Sequence, residues 1–299
     1  MKYDFYLYGM ILRTNSFLLD GDYPQPDTYA EIAQRYTLPG GETGTAATVL
    51  LSLGRSVKMD GTCMGRSTLP FIREFYAGKK CDLSSLTLDE SFDGLEDNVL
   101  IAGGTRTVLG SFRAFYGDPV HRWSTPRRED VEGCTVAAID PYFGSATELA
   151  AQYCRELGKP YVTIDCPYDS DLHRYSAINV VSNEFYREHY AQDERDEVLR
   201  RYMDASDGLT IFTLGSRDIR FGRKGGEIHS FKPYSVPVRS TLGAGDTFKA
   251  GCAYALWAGM DDLSTVRFAA ASAGVACTRF PLPLNPPQLA EVLTLMATR

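Results

Sequence analysis

Apolar positions fall along this chain in short blocks, and the period of those blocks changes partway through. Residues 3–10 are a run of aromatic and aliphatic side chains broken at Gly9, which predicts a first core strand. Residues 15–36 are polar and punctuated by Asp20-Gly21-Asp22 and Pro24-Gln25-Pro26, so they predict an excursion away from the core. Pro39-Gly40-Gly41 leads into small and aliphatic residues over 43–53, a helix stopped at Gly54. A strand over 57–64 and a short helix over 69–76 follow. Between 83 and 116 the pattern turns to alternation. Three extended pieces, 98–102, 105–109 and 111–116, are separated by Gly103-Gly104 and Gly110 and predict a β-meander with no room for crossover helices.

From residue 134 onward strand-like blocks (134–139, 161–165, 178–181, 209–214) alternate with helical ones (145–157, 184–203). A hairpin pattern at 219–221 and 227–231 turns around Gly225-Gly226, and helical patterns close the chain after Asp246, at 263–277 and at 287–296. Buried strands linked by helices predict an α/β fold, a Rossmann-like, doubly wound, mostly parallel sheet. The 1–299 chain then reads as a single domain, with segments 13–38 and 88–118 forming a small β-sheet lid beside it. The open edges of such a lid offer a route to pairing with a second copy.

Composition narrows the partners. The 299 residues are 44% hydrophobic and 23% charged, ordinary for a globular chain of that length. A formal net charge of −7 argues against nonspecific nucleic-acid binding and against attraction to an anionic membrane. The seven cysteines are scattered and odd in number, without C-x-x-C, so they read as reduced core residues and not as a disulfide or zinc framework. The four histidines have no metal-ligand spacing. No run is apolar enough to span a bilayer, and Met1-Lys2-Tyr3-Asp4-Phe5 carries no basic region followed by a long apolar stretch, so a cytoplasmic protein is expected.

The candidate chemistry lies in Ser240-Thr241-Leu242-Gly243-Ala244-Gly245-Asp246-Thr247-Phe248. An alternating stretch over 234–239 precedes it, read as the end of an extended segment, and small or apolar residues over 250–257 follow it. Strand, glycine turn and helix together aim several unpartnered backbone N–H groups at an anion. Gly243 and Gly245 remove the Cβ atoms that would hold a phosphate away. Asp246 beside such an anion would be repelled unless it had work to do, most simply taking a proton from an attacking hydroxyl. A plain tight turn with an acid at a helix start is the alternative for an isolated G-x-G-D.

The longer run resembles the signature D-T-x-G-A-G-D-[ATS]-F of the ribokinase (pfkB) family of sugar and nucleoside kinases, with Ser240 where that family has Asp. The resemblance implies a Rossmann-like core with a β lid, ATP as phosphoryl donor and Mg²⁺ with the nucleotide. It makes Asp246 the base, with the backbone N–H groups of Gly243, Ala244 and Gly245 stabilising the transferred phosphoryl. Thr213, Gly215 and Ser216 correspond to a T-x-G-x step on the nucleotide phosphates, and Thr241 and Asn183 join them. Asn183 belongs to an N-x-x-E motif in which Tyr186 replaces Glu. Gly40 and Gly41 correspond to the glycines that hinge the lid and meet the acceptor, although a plain turn accounts for them equally well. Thr14 and Thr45 stand where the family has Asp and Asn against the substrate hydroxyls. Arg13, Arg106 and Arg113 lie in the expected lid, where they either recognise an acidic acceptor or are solvated. Asp165 alone matches a D-P-N-x-R element of related fructokinases. The implied function is ATP-dependent phosphorylation of a hydroxyl, a primary alcohol, on a small sugar-like molecule, with no protein-bound metal cage. A nucleoside kinase and a catalytically impaired sugar or nucleotide sensor are the rivals.

Overall fold

The computed structural model describes residues 2–299. Its first half contains β1 (Phe5–Gly9), β2 (Leu12–Leu19), β3 (Ile32–Gly40), α1 (Gly41–Ser52), β4 (Val57–Gly61), α2 (Thr68–Tyr76) and β5 (Cys81–Asp82). The hairpin β6 (Glu96–Ala102) and β7 (Thr105–Gly110) follows, then α3 (Phe112–Gly117), α4 (Arg128–Glu132), β8 (Val136–Ile139) and α5 (Ser145–Glu156). Next come β9 (Tyr161–Ile164), α6 (Asp171–Arg174), β10 (Ile178–Val181), α7 (Asn183–His189), α8 (Arg195–Ala205), β11 (Leu209–Leu214) and β12 (Arg217–Gly222). The chain closes with β13 (His229–Phe231), α9 (Ala244–Trp257), α10 (Asp262–Cys277) and α11 (Leu289–Met296).

Nine strands form one sheet in the order β13-β12-β11-β10-β9-β8-β1-β4-β5. All neighbours from β5 to β11 run parallel, and only β12 and β13 are antiparallel. The interior strand β1 is buried along its whole length. Its alternate residues divide between two cores: Phe5 and Leu7 pack with Ala46 and Val49 of α1 and Phe248 of α9, whereas Tyr6 and Tyr8 pack with Ala150 and Cys154 of α5. Helices therefore cover both faces, the doubly wound α/β arrangement read from the alternation of blocks. Helices α9 and α10 approach so closely that a Cβ on Gly251 would lie 2.7 Å from the Cα of Ala269, which explains the small residues on both. Because β1 lies between β4 and β8, the chain switches direction there. The crevice beyond the carboxyl ends of the strands is where such sheets bind ligands.

A second sheet, ordered β3-β2-β6-β7, is built from two antiparallel hairpin pairs joined by the parallel pair β2·β6. Thr14 and Ser16 of β2 share one face with Asp97 of β6, and Arg13 pairs with Glu96 on the other. Its hairpin tip reaches the body, where a Cβ on Gly104 would lie 3.3 Å from Val238, and Tyr36 packs edge-on against Phe280.

Residues 15–36, read as an excursion away from the core, contain most of β2 and the start of β3, because pairing across the second sheet overrides a polar sequence. Two local expectations are corrected. The third extended piece at 111–116 is helix α3, with Phe112, Phe115 and Tyr116 at helical spacing among the rings of Phe92 and Trp123. The stretch before the glycine turn joins no sheet. Pro233 and Pro237 lack the N–H a ladder needs, and Arg239 and Ser240 instead donate to the carbonyl of Cys277 at 2.8 and 3.2 Å. Among the described residues, no helix is long and apolar enough to cross a membrane.

Candidate active site

Thr241 to Gly243 fold into a turn in which the Ala244 N–H donates to the Thr241 carbonyl at 3.2 Å. Gly243 caps α9 in the left-handed region (φ 77°), where a Cβ would also collide with Leu282 at 2.7 Å and press on Thr45 at 3.2 Å. Two residues on, Gly245 has helical geometry and nothing within 4 Å of its missing Cβ. The fold itself does not demand glycine there. Asp246 sits half-buried in the first turn of α9, beside that open space.

A cleft of about 1370 Å³ runs between this turn and the inner face of the second sheet. The body contributes Gly41, Glu42, Thr45, Asp165, Gly243, Gly245 and Asp246 to its lining, and the second sheet contributes Thr14, Gly40, Asp97 and Arg106. Thr14 is drawn to Gly40 so closely that a Cβ on that glycine would lie 1.9 Å from the threonine hydroxyl. Arg113 also lines the cleft and is exposed, and Arg106 reaches across to Glu184 of α7 at 3.4 Å. Arg13 faces away and pairs with Glu96.

Beneath Asp246 lies a charge cluster that reading the sequence did not find. Lys249, on the same helix, is buried and ion-paired with Asp140, which follows β8. The other oxygen of Asp140 accepts from the Met10 N–H at 3.1 Å and the Thr43 hydroxyl at 2.8 Å. Gly9 makes room for it, since a Cβ there would lie 1.9 Å from that oxygen. Burial pushes the Asp246 carboxyl above its ordinary range, Asp140 pushes it further, and Lys249 and Arg106 pull it back. Burial alone would lower the Lys249 ammonium, but Asp140, Asp246 and Glu42 hold it above the lysine range. Glu42, which accepts from the Tyr142 hydroxyl at 3.0 Å, is pushed up to about 8 by burial and by Asp246 and Asp140. A lone lysine beside a run of small and apolar helix positions, and an acid directly after a buried strand, were the available signals.

Of the residues assigned to the nucleotide, Thr213, Gly215, Ser216 and Asn183 lie at the carboxyl ends of β10 and β11 and Thr241 in the turn before α9, all outside the cleft lining. Thr213 reaches toward the Val181 carbonyl at 3.5 Å, Gly215 turns with φ 67°, and Ser216 is exposed beside it. Asn183 opens α7 and accepts from Arg217 at 2.9 Å. Tyr186 points into the core and donates to the Asp193 carbonyl at 2.6 Å, so the position that carries Glu in the N-x-x-E motif has no group in the cleft. Ser240 is buried and accepts from the Leu242 N–H at 3.1 Å. Among the described residues no three His, Cys, Asp or Glu are grouped to hold a metal ion. Asp165, pushed up to about 6 by burial, and the exposed Glu184 are oxygen donors that flank the cleft on the side of β9 and α7. A hydrated Mg²⁺ bound by phosphates and one or two carboxylates fits that donor set.

A family model described as pfkB family carbohydrate kinase matches residues 134–282, about half of the chain and the half that carries the turn and Asp246. The chain belongs to the pfkB family. As a pfkB protein it shares its fold with solved ribokinases over nearly its whole length. An Agrobacterium tumefaciens ribokinase candidate is 18% identical with a TM-score of 0.85, covering 99% of this chain and 98% of that one. An Arabidopsis thaliana ribokinase complexed with ribose and ATP is 17% identical with a TM-score of 0.80, covering 99% of both chains. A nucleoside kinase from Methanocaldococcus jannaschii is 14% identical with a TM-score of 0.76, also covering 99% of both. No curated protein matches the chain by sequence. Family membership supports phosphoryl transfer to a small sugar or nucleoside in general terms. At these identities the solved structures speak for the fold alone.

Proposed function

We propose that this pfkB protein transfers the γ-phosphoryl group of ATP to a hydroxyl, a primary alcohol, of a small sugar-like acceptor. The observation that carries this reading is the position of Asp246, held by burial above the ordinary carboxylate range, beside the open space over Gly245 and at the wall of a cleft roofed by a polar sheet face. In the step, the acceptor O–H gives its proton to the Asp246 carboxylate and the oxygen bonds to the γ-phosphorus. The bond from that phosphorus to the bridging oxygen breaks, and ADP leaves with the electron pair. The N–H groups of Gly243 and Gly245 then face the phosphoryl oxygens, joined by that of Ala244 where it turns from the Thr241 carbonyl, and Arg106 adds a positive charge nearby. Thr213, Gly215, Ser216, Thr241 and Asn183 hold the nucleotide. Gly40, Gly41, Thr14, Thr45 and Arg113 meet the acceptor. Mg²⁺, held through phosphates with Asp165 and Glu184, would neutralise nucleotide charge. The second sheet acts as a lid that excludes water, without which ATP would be hydrolysed.

Phe112, Tyr116 and Phe185 also line the cleft and offer faces for a base to stack on, which favours a nucleoside acceptor as the second reading. ADP release measured across sugars, sugar acids and nucleosides separates the two. On the acceptor that turns over, Asp246→Asn should lower turnover about 10²–10⁴-fold while ATP affinity holds or improves. If Asp246 were only a helix-terminal charge, turnover would stand and stability would fall by about 0.3–1 kcal/mol.

A further inference from the structure

Thr213, Gly215, Ser216, Thr241 and Asn183, the residues assigned to the nucleotide, are all neutral. Their charged neighbours on the α7 side are acids: Asp165 accepts from the Ser182 N–H at 2.6 Å, and Glu184 follows Asn183 in the chain. A polyphosphate bound here therefore needs positive charge from elsewhere. Arg217 is placed to give it. The two-residue turn Gly215-Ser216 joins β11 to β12, with Leu214 and Arg217 paired across it and Gly215 at positive φ. That turn sets Arg217 beside Ser216, and its exposed guanidinium reaches the first residue of α7, donating to the Asn183 Oδ1 at 2.9 Å. Arg220 on the same strand is neutralised by Asp196, and Arg106 by Glu184. Arg217 has no such acid partner among the described residues; its side chain is held by a neutral amide. Because a guanidinium only donates, Asn183 must turn its oxygen to Arg217, which leaves its NH2 group as the part free to meet a ligand.

We propose that Arg217 and Asn183 form an anion site for the nucleotide phosphates, in which Arg217 both supplies the charge and orients the Asn183 amide as a donor. Asn183 then serves the phosphates through its NH2 group, and its oxygen, already engaged, is withheld from a metal or its water. Arg217 is free to turn toward a phosphate because leaving a neutral amide costs it less than leaving a carboxylate would. This rests on the nucleotide reading above but not on phosphoryl transfer, so its test uses binding alone.

Arg217→Met keeps much of the aliphatic stem of an exposed side chain, so melting should stay within about 2 °C of wild type. ADP and adenosine share base and ribose and differ by the diphosphate, so comparing them isolates the phosphate contacts. Both are titrated calorimetrically into wild type and variant with EDTA present, which leaves the protein as the source of positive charge. Wild type should bind ADP more tightly than adenosine. Arg217→Met should weaken ADP about 10–100-fold while adenosine stays within about twofold. Arg217→Lys, which keeps the charge but lacks the planar fork, should recover part of that loss. Unchanged ADP affinity in Arg217→Met would overturn the proposal. Equal losses for ADP and adenosine would overturn it too, since Arg217 would then serve the base or the fold. A wild type that binds neither ligand would overturn the nucleotide reading and this proposal together. A wild type that binds ADP but phosphorylates no acceptor would sink only the kinase reading, and the ADP–adenosine comparison would still decide the role of Arg217.

Discussion

Replacing Lys249 with Met tests whether the buried charge cluster sets the state of the base. Lys249 and Asp140 have side-chain exposures of 1% and 0%, so neither charge is solvated once its partner is gone. Breaking a buried pair from one side costs about 3–5 kcal/mol. Asp140 keeps the Met10 N–H at 3.1 Å and the Thr43 hydroxyl at 2.8 Å, which places the expected loss near the lower end, about 3 kcal/mol. For a domain of this size that is a fall in melting temperature of about 6–12 °C. The second consequence is electrostatic. Lys249 pulls the Asp246 carboxyl down, so its removal lets burial and Asp140 push that carboxyl higher. As the proposed base, Asp246 must be ionised to act, so kcat/KM rises with pH through its titration. The acidic limb of the profile should therefore move to higher pH in the variant. Urea unfolding at pH 7 and a pH–rate profile below the variant's melting temperature measure the two effects separately. A folded variant that loses stability with its acidic limb unmoved would show that Lys249 is only a structural partner of Asp140. Unchanged stability would refute the buried-pair argument altogether.

Glu42, pushed up to about 8, holds a proton in the folded protein at pH values where the unfolded chain has released it. Stability should fall as pH rises from about 4.5 to 8, and Glu42→Gln should flatten that slope in unfolding curves taken across the range; a slope unchanged by the substitution would contradict the assignment. Gly245→Ala adds a methyl where nothing lies within 4 Å, so melting should hold or rise, while phosphoryl transfer should drop about tenfold or more because the methyl occupies the approach to the backbone N–H groups. Full turnover in the Gly245→Ala variant would remove Gly245 from the site.

What the sequence disclosed was local in origin. Strand and helix blocks after residue 134 were legible because a buried parallel strand such as Ile178–Val181 and an amphipathic helix such as Ser145–Glu156 each write their period into a few neighbouring residues. The turn at Gly243 was legible because its positive φ and its crowding against Leu282 restrict the residue type. What stayed hidden depended on pairing between distant strands. Glu96 and Asp97 are indistinguishable as neighbouring acids until the register of β6 on β2 sends one outward to Arg13 and the other into the cleft. Lys249 reads as an ordinary helix residue until Asp140, from another strand, is found against it. Tyr186 stands where the N-x-x-E motif carries Glu, and only the packing of α7 shows that this position faces the core.

In and beneath the cleft lie carboxylates of two kinds. Asp140 is matched by a buried cation, a backbone N–H and a hydroxyl, and so belongs to the scaffold. Glu42, Asp97, Asp165 and Asp246 are all pushed above the ordinary carboxylate range, burial being the largest cause in each. A fold selected for stability alone would place Asn or Gln at such positions, since each ionised form is less stable buried than solvated. Retaining acids there sets stability against catalysis. As pH rises the folded state weakens, while Asp246, on the proposed reading, becomes competent to take a proton. Acceptor and metal-bound nucleotide would then supply donors and positive charge that these groups lack. Ligand binding should therefore stabilise the protein most at the alkaline end of this range, where the free carboxylates are least satisfied.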